Sequence, residues 1–176
     1  FNANKVIAGI AGGGALLTDD DRVADTAKKL RRHGNHEMLG YNSKMLFMNA
    51  VFINHRLKKI EEYQTKRQEV AKKYDEHLKD LVVIQNSNDN LDHNYHKYII
   101  RLQSKETRER LKVRLGANIH YDTPISELPM YKNIEHRKDD ITNTQTVCDT
   151  ILTLPIDPFL RDEEIENTCN IIMATV

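Results

Sequence analysis

Phe1-Asn2-Ala3-Asn4-Lys5-Val6-Ile7-Ala8-Gly9-Ile10-Ala11-Gly12-Gly13-Gly14-Ala15-Leu16-Leu17-Thr18-Asp19-Asp20 sets one lysine beside two short apolar runs and a glycine cluster. Val6-Ile7 and Ala15-Leu16-Leu17 predict two buried strands joined by a tight glycine turn, and Asp19-Asp20-Asp21 marks a helix start. A lysine that attacks an aldehyde must be unprotonated, which asks for burial or for positive charge nearby. Lys5 precedes apolar residues, the glycines let backbone approach a bulky planar ligand, and Asn2 and Asn4 can hydrogen-bond near it. On these residues alone the better reading of Lys5 is a strand-edge lysine facing solvent, the usual place for that side chain.

Working outward, Val23, Ala24, Ala27 and Leu30 recur at helical spacing, and Arg31-Arg32-His33-Gly34 supplies a cationic last turn and a glycine stop. An irregular stretch runs from residue 35 to 44. Between 45 and 81 the apolar positions Met48, Phe52, Leu57, Ile60, Tyr63, Val70, Tyr74, Leu78 and Leu81 predict one long amphipathic helix or two in series. A polar loop over residues 86–94 ends it. Residues 95–102 then alternate into a strand, 106–115 form a short helix closed by Gly116, 117–121 form a second strand and 151–155 a third. Asp162-Glu163-Glu164 opens a last helix with Ile165, Cys169, Ile172 and Met173 on its apolar face. The chain divides near residue 80, with a compact α/β unit after it.

Composition narrows the function. Lys plus Arg and Asp plus Glu are 26 each, which removes the uniform positive field of a protein that grips nucleic acid over most of its surface. No run of apolar residues is long enough for a membrane helix. Cys148 and Cys169 form no CxxC and read as reduced core residues of a cytoplasmic protein. The basic residues Arg56, Lys58, Lys59, Lys66, Arg67, Lys72 and Lys73 alternate with acidic ones and read as a solvated helix face. His33, His36, His55, His77, His93, His96 and His136 lack metal-ligand spacing, and no metal is expected. The opening at Phe1, without Met or capping sequence, reads as a fragment.

Several strings carry a resemblance, and they come in order. The Lys5 segment leads into Gly12-Gly13-Gly14-Ala15-Leu16-Leu17-Thr18-Asp19-Asp20. Then follow His33-Gly34, Gly40-Tyr41-Asn42-Ser43-Lys44-Met45, Tyr95-His96-Lys97-Tyr98, Ile119-His120-Tyr121 with Pro124, and Leu152-Thr153-Leu154-Pro155-Ile156. Together they resemble the DegT/DnrJ/EryC1/StrS family of pyridoxal-phosphate-dependent sugar aminotransferases over essentially the whole chain.

The resemblance implies an α/β fold, the C-terminal part of a fold-type I pyridoxal-phosphate-dependent transferase. Residues 1–44 would be a remnant of the large cofactor domain, 45–80 a long connecting helix and 81–176 the small C-terminal domain. It implies that Lys5 holds pyridoxal 5'-phosphate and moves protons, and that an amino group passes from glutamate to a nucleotide-linked keto-sugar. Asn42 would reach the cofactor phosphate of a neighbouring subunit in a homodimer with a shared site; read locally, it is an Asn in a turn. His120 and Tyr121 match the family's residues at the mouth of the substrate pocket, though such a pair also suits a structural role. Lys44 stands where the family usually has Arg, Leu46 and Phe47 where it has acidic residues, and Gly12 replaces a frequent acidic residue. The carboxylate that pairs with the pyridine nitrogen and the phosphate-binding serine would precede Phe1, so the 176 residues by themselves are expected to be inactive. A related sugar dehydratase, disfavoured by the presence of Lys5, and a non-enzymatic regulatory member of the fold are the competing expectations.

Overall fold

The computed structural model describes residues 1–85, 92–131, 133–135 and 139–176, which form two compact units, Phe1–Glu62 and Tyr63–Val176. Part of the expected polar loop and His136 lie outside the described residues.

In the first unit α1 spans Asp21–Leu30, as the sequence predicts. The Asp20 carboxylate caps it, accepting from the backbone N–H groups of Arg22 at 2.8 Å and Val23 at 3.3 Å. Lys28 and Lys29 in the last turn complement the helix dipole. Beyond a 3₁₀ turn at His33–His36 the chain folds back on the end of α1. Tyr41 N–H donates to the Leu30 carbonyl at 2.7 Å, His33 N–H to Tyr41 at 2.9 Å and Ser43 N–H to Arg31 at 3.1 Å. This return needs glycine at position 40, because a β-carbon there would lie 2.2 Å from the Gly34 nitrogen and 2.7 Å from the Leu30 oxygen. The predicted long helix is two helices in series, α2 at Phe47–Leu57 and α3 at Ile60–Leu78.

The two strands expected around the glycine cluster are not formed. Among the described residues, 1–20 contain no strand, and Leu16 and Leu17 are exposed, Leu17 at 90%. A strand exists only where a neighbour accepts its ladder. Here the Val6 and Gly12 carbonyls are taken by side chains of α2.

The second unit has a core built on α3. Tyr63, Arg67, Val70, Ala71, Tyr74 and Leu78 recur at three and four and are buried. β1 (Tyr98–Arg101) pairs antiparallel with β2 (Ile151–Leu154), Tyr98 opposite Leu154 and Arg101 opposite Ile151. Two strands are marginal by themselves. These two share one apolar cluster with α3, α4 (Lys105–Leu115) and α6 (Asp162–Met173), centred on Tyr74, Leu78, Tyr98, Leu111, Leu152 and Ile172. Ser104 caps α4 by accepting from Thr107 N–H at 3.1 Å, and Gly116 closes it in the left-handed conformation. In front of α6, Glu164 reaches back to Arg161 N–H at 2.9 Å. Cys148 and Cys169 are buried free thiols, as expected.

Three features differ from the sequence reading. The strand expected from residue 95 begins at 98, because the Tyr95 and His96 carbonyls are occupied by the Arg67 guanidinium. The strand expected at 117–121 is a single bridge, in which Thr153 N–H donates to the Asn118 carbonyl at 3.0 Å. The next residues bond through a side chain, His120 to Thr153, in place of a ladder. Helix α5 (Thr142–Thr150), which runs directly into β2, was not foreseen. Among the described residues no helix is long and apolar enough to cross a membrane.

Candidate active site

Lys5 lies on an exposed turn in which its N–H donates to the Asn2 carbonyl at 3.0 Å and Asn4 N–H to Asn2 Oδ1 at 3.0 Å. Asn2 thus shapes the lysine's backbone. Behind it Val6 and Ile7 are half-buried, Ala8 and Gly9 buried, and Gly9 N–H donates to the Phe1 carbonyl at 3.0 Å.

Two residues of α2 hold this loop, and the sequence reading gave neither of them a role at the lysine. Asn49, 4% exposed, donates Nδ2 to the Gly12 carbonyl at 2.5 Å and accepts Ala11 N–H at 3.3 Å. Arg56 donates Nη2 at 3.0 Å and Nε at 3.3 Å to the Val6 carbonyl, on the peptide that follows Lys5 by one residue. Gly9 is needed beneath Asn49, since a β-carbon there would stand 2.5 Å from Asn49 Oδ1. The signal for Asn49 was its isolation: one amide inside Leu46-Phe47-Met48-Asn49-Ala50-Val51-Phe52-Ile53. Arg56 and Arg67 correct the solvated-face reading of the basic run. Arg56 is half-buried on the lysine loop, and Arg67 is 8% exposed, with burial lowering its pKa.

Asn42 lies in the same unit, on the segment that returns along the end of α1, where it bridges Arg32. Its side chain is exposed, as are Lys44, Leu46 and Phe47. Leu46 occupies the N-cap of α2, and no side chain caps that helix.

His120 and Tyr121 belong to the second unit. His120 is half-buried, with Nδ1 2.9 Å from Thr153 Oγ1. Burial, and after it the Lys97 charge, lowers its pKa and favours the neutral ring. The Tyr121 ring meets it edge-on at 5.6 Å between centroids and is 74% exposed. This neutral imidazole and open phenol can hydrogen-bond a polyhydroxyl ligand.

A primary amine on an exposed, side-chain-anchored turn fits covalent attachment of an aldehyde cofactor, with open space beside the loop at Gly12 and Gly14, while Gly13 packs against Met45. The first unit thus carries a lysine loop tied to a helix, and the second is a small α/β unit that follows it in the sequence. DesV from S. venezuelae, solved in complex with a ketimine intermediate, matches the chain with a TM-score of 0.87 at 24% identity, over 99% of this chain and 49% of that one. The chain belongs to the DegT/DnrJ/EryC1/StrS aminotransferase family, whose model matches residues 1–173. Among curated relatives it is 25% identical to the pleiotropic regulatory protein of Geobacillus stearothermophilus, over 93% of this chain and 47% of the relative. It is 25% identical to the dTDP-3-amino-3,6-dideoxy-alpha-D-galactopyranose transaminase of Aneurinibacillus thermoaerophilus, over 88% and 44% respectively. The chain spans about half the length of the relatives it matches.

Proposed function

We propose that this chain is the lysine-bearing half of a pyridoxal-phosphate-dependent sugar aminotransferase, a cytoplasmic homodimer that moves an amino group from glutamate to a nucleotide-linked keto-sugar. The observation that carries the reading is Lys5 itself, an accessible amine on a loop anchored by α2, in a chain of the aminotransferase family. The domain division at residues 44 and 80 belongs to the same reading.

When bound, pyridoxal phosphate supplies an aldehyde for covalent attachment and a ring that draws electrons from the substrate's carbon. Lys5 would hold the cofactor by its amine and, with Nζ released, would serve as the acid and base that holds and moves a proton at Nζ. Asn42 would help hold the cofactor's phosphate in the partner subunit. Lys44 stands where the family usually has the planar fork of Arg, so a bidentate phosphate or carboxylate contact would become a point-charge contact. His120, neutral, and Tyr121 orient the sugar nucleotide. The 176 residues without the remainder of the protein do not turn over, because one amine without a held ring and phosphate has no proton-transfer geometry.

The test is product analysis with the complete protein, cofactor, glutamate and a keto-sugar nucleotide. An amino-sugar nucleotide formed with equimolar 2-oxoglutarate supports the reading. Loss of a hydroxyl without gain of nitrogen would point to a dehydratase. A non-enzymatic member, which the likeness to a regulatory protein keeps in view, would give neither.

A further inference from the structure

We propose that Asn49 and Arg56 are positioning residues for Lys5: α2 clamps the lysine loop at two points, and the clamp holds Lys5 where its amine captures the cofactor. The inference rests on Lys5 being the cofactor lysine.

The two clamp residues are seven positions apart on one helix, which puts them two turns apart on one face, separated by roughly 10 Å along the axis. They grip different parts of the loop. Arg56 takes the carbonyl of Val6, so moving that peptide moves the Lys5 backbone. Asn49 takes Gly12 through its donor and Ala11 through its acceptor, so both halves of a buried amide are spent on the glycine turn. Gly9 brings the loop against Asn49 between these points. Residues 1–20 contain no helix or strand, so side chains replace the ladder that would otherwise fix this backbone. A reacting group misplaced by about 1 Å can lose on the order of a hundredfold in rate, and a lysine at the edge of an irregular loop is exposed to that loss.

The test uses the complete protein with Arg56→Met, Arg56→Lys, Asn49→Leu and Asn49→Asp. Arg56→Met keeps a stem to pack near Phe52, whose ring the guanidinium overlies at 5.7 Å. Asn49→Asp keeps an acceptor for Ala11 and loses the donor to Gly12. Two quantities are read: amide hydrogen exchange of residues 6–12 in the cofactor-free protein, and the rate at which free pyridoxal phosphate becomes fixable to Lys5 by borohydride. The expected result is faster exchange, with capture slowed about tenfold to a hundredfold in Arg56→Met and Asn49→Leu and partly recovered in Arg56→Lys. If Asn49→Leu does not fold, the half-buried Arg56 pair decides. Unchanged exchange would overturn the clamp, and faster exchange with unchanged capture would overturn its role in positioning. A wild-type protein that captures no cofactor at Lys5 would instead refute the functional reading, and this inference with it.

Discussion

Arg67 and Tyr95 are joined at 3.1 Å across 28 residues, Nε of the guanidinium donating to the backbone carbonyl, while Nη2 holds His96 at 2.9 Å. The pair closes the segment before β1 onto α3. A buried guanidinium is tolerated there because carbonyl oxygens meet its N–H groups.

Replacing Arg67 by Met should therefore leave two carbonyls without their donor, and a loss of about 3 kcal/mol is expected in urea unfolding. Arg67→Lys, with a smaller head that does not span both oxygens, should lose less than Arg67→Met. A change within about 0.5 kcal/mol for Arg67→Met, the scatter of ordinary surface substitutions, would mean the carbonyls find other partners.

Tyr74 and Tyr98 pack 5.0 Å apart between ring centroids and are both fully buried, yet their hydroxyls differ. Tyr98 donates to Asp75 Oδ1 at 2.5 Å, while the Tyr74 hydroxyl lies towards Thr168, whose own hydroxyl donates to the Glu164 carbonyl, and makes no well-formed hydrogen bond among the described residues. Tyr98→Phe should cost about 2 kcal/mol, since it removes a hydrogen bond to a charged acceptor, whereas Tyr74→Phe should be neutral or stabilising by about 1 kcal/mol. Equal losses in the two variants would contradict this assignment.

The same pair fixes an alkaline pH dependence. Burial pushes the Tyr74 phenol up from 10.0 to about 12, and burial followed by the Asp75 hydrogen bond and charge pushes Tyr98 upward as well. Folded pKa values above the unfolded ones mean that the native state keeps protons the unfolded state has released. The contribution is full below pH 10 and is lost above it, at most about 1.4 kcal/mol per pH unit for each group. Urea midpoints should fall between pH 10 and 12, and less steeply in Tyr74→Phe. An identical slope in wild type and Tyr74→Phe would remove Tyr74 from the account.

Leu46 leaves the first turn of α2 without a side-chain acceptor. Leu46→Asp should cap it and raise stability by about 1 kcal/mol, read as a higher unfolding midpoint. Destabilisation would show instead that the exposed Leu46 packs against another part of the complete protein.

What the sequence disclosed follows from the range of each interaction. Asp20, Gly116 and the acidic turn at Asp162 mark helix ends through contacts a few residues long, and α1, α4 and α6 were legible from them. The strands around the glycine cluster were misread because apolar runs say nothing of whether a neighbour is present to pair with them. Helix α5 escaped notice because Thr142-Asn143-Thr144-Gln145-Thr146 has weak helix propensity, and what holds it is the burial of Cys148 and Thr150. Lys5 and Asn42 are proposed for the site from the ordered strings that carry the family resemblance. Asn49 and Arg56 were not legible, because their partners lie 37 and 50 residues away and are backbone atoms, which carry no side-chain signature.

The central claim is that Lys5 carries the cofactor, and one measurement tests it directly. The complete protein is incubated with pyridoxal phosphate, reduced with borohydride and digested, and the modified lysine is read by mass spectrometry. The account predicts one near-stoichiometric adduct on the peptide containing Lys5, absent in Lys5→Ala. A substoichiometric scatter over surface lysines such as Lys28, Lys58 and Lys72, or a full adduct elsewhere with Lys5 unmodified, would contradict it.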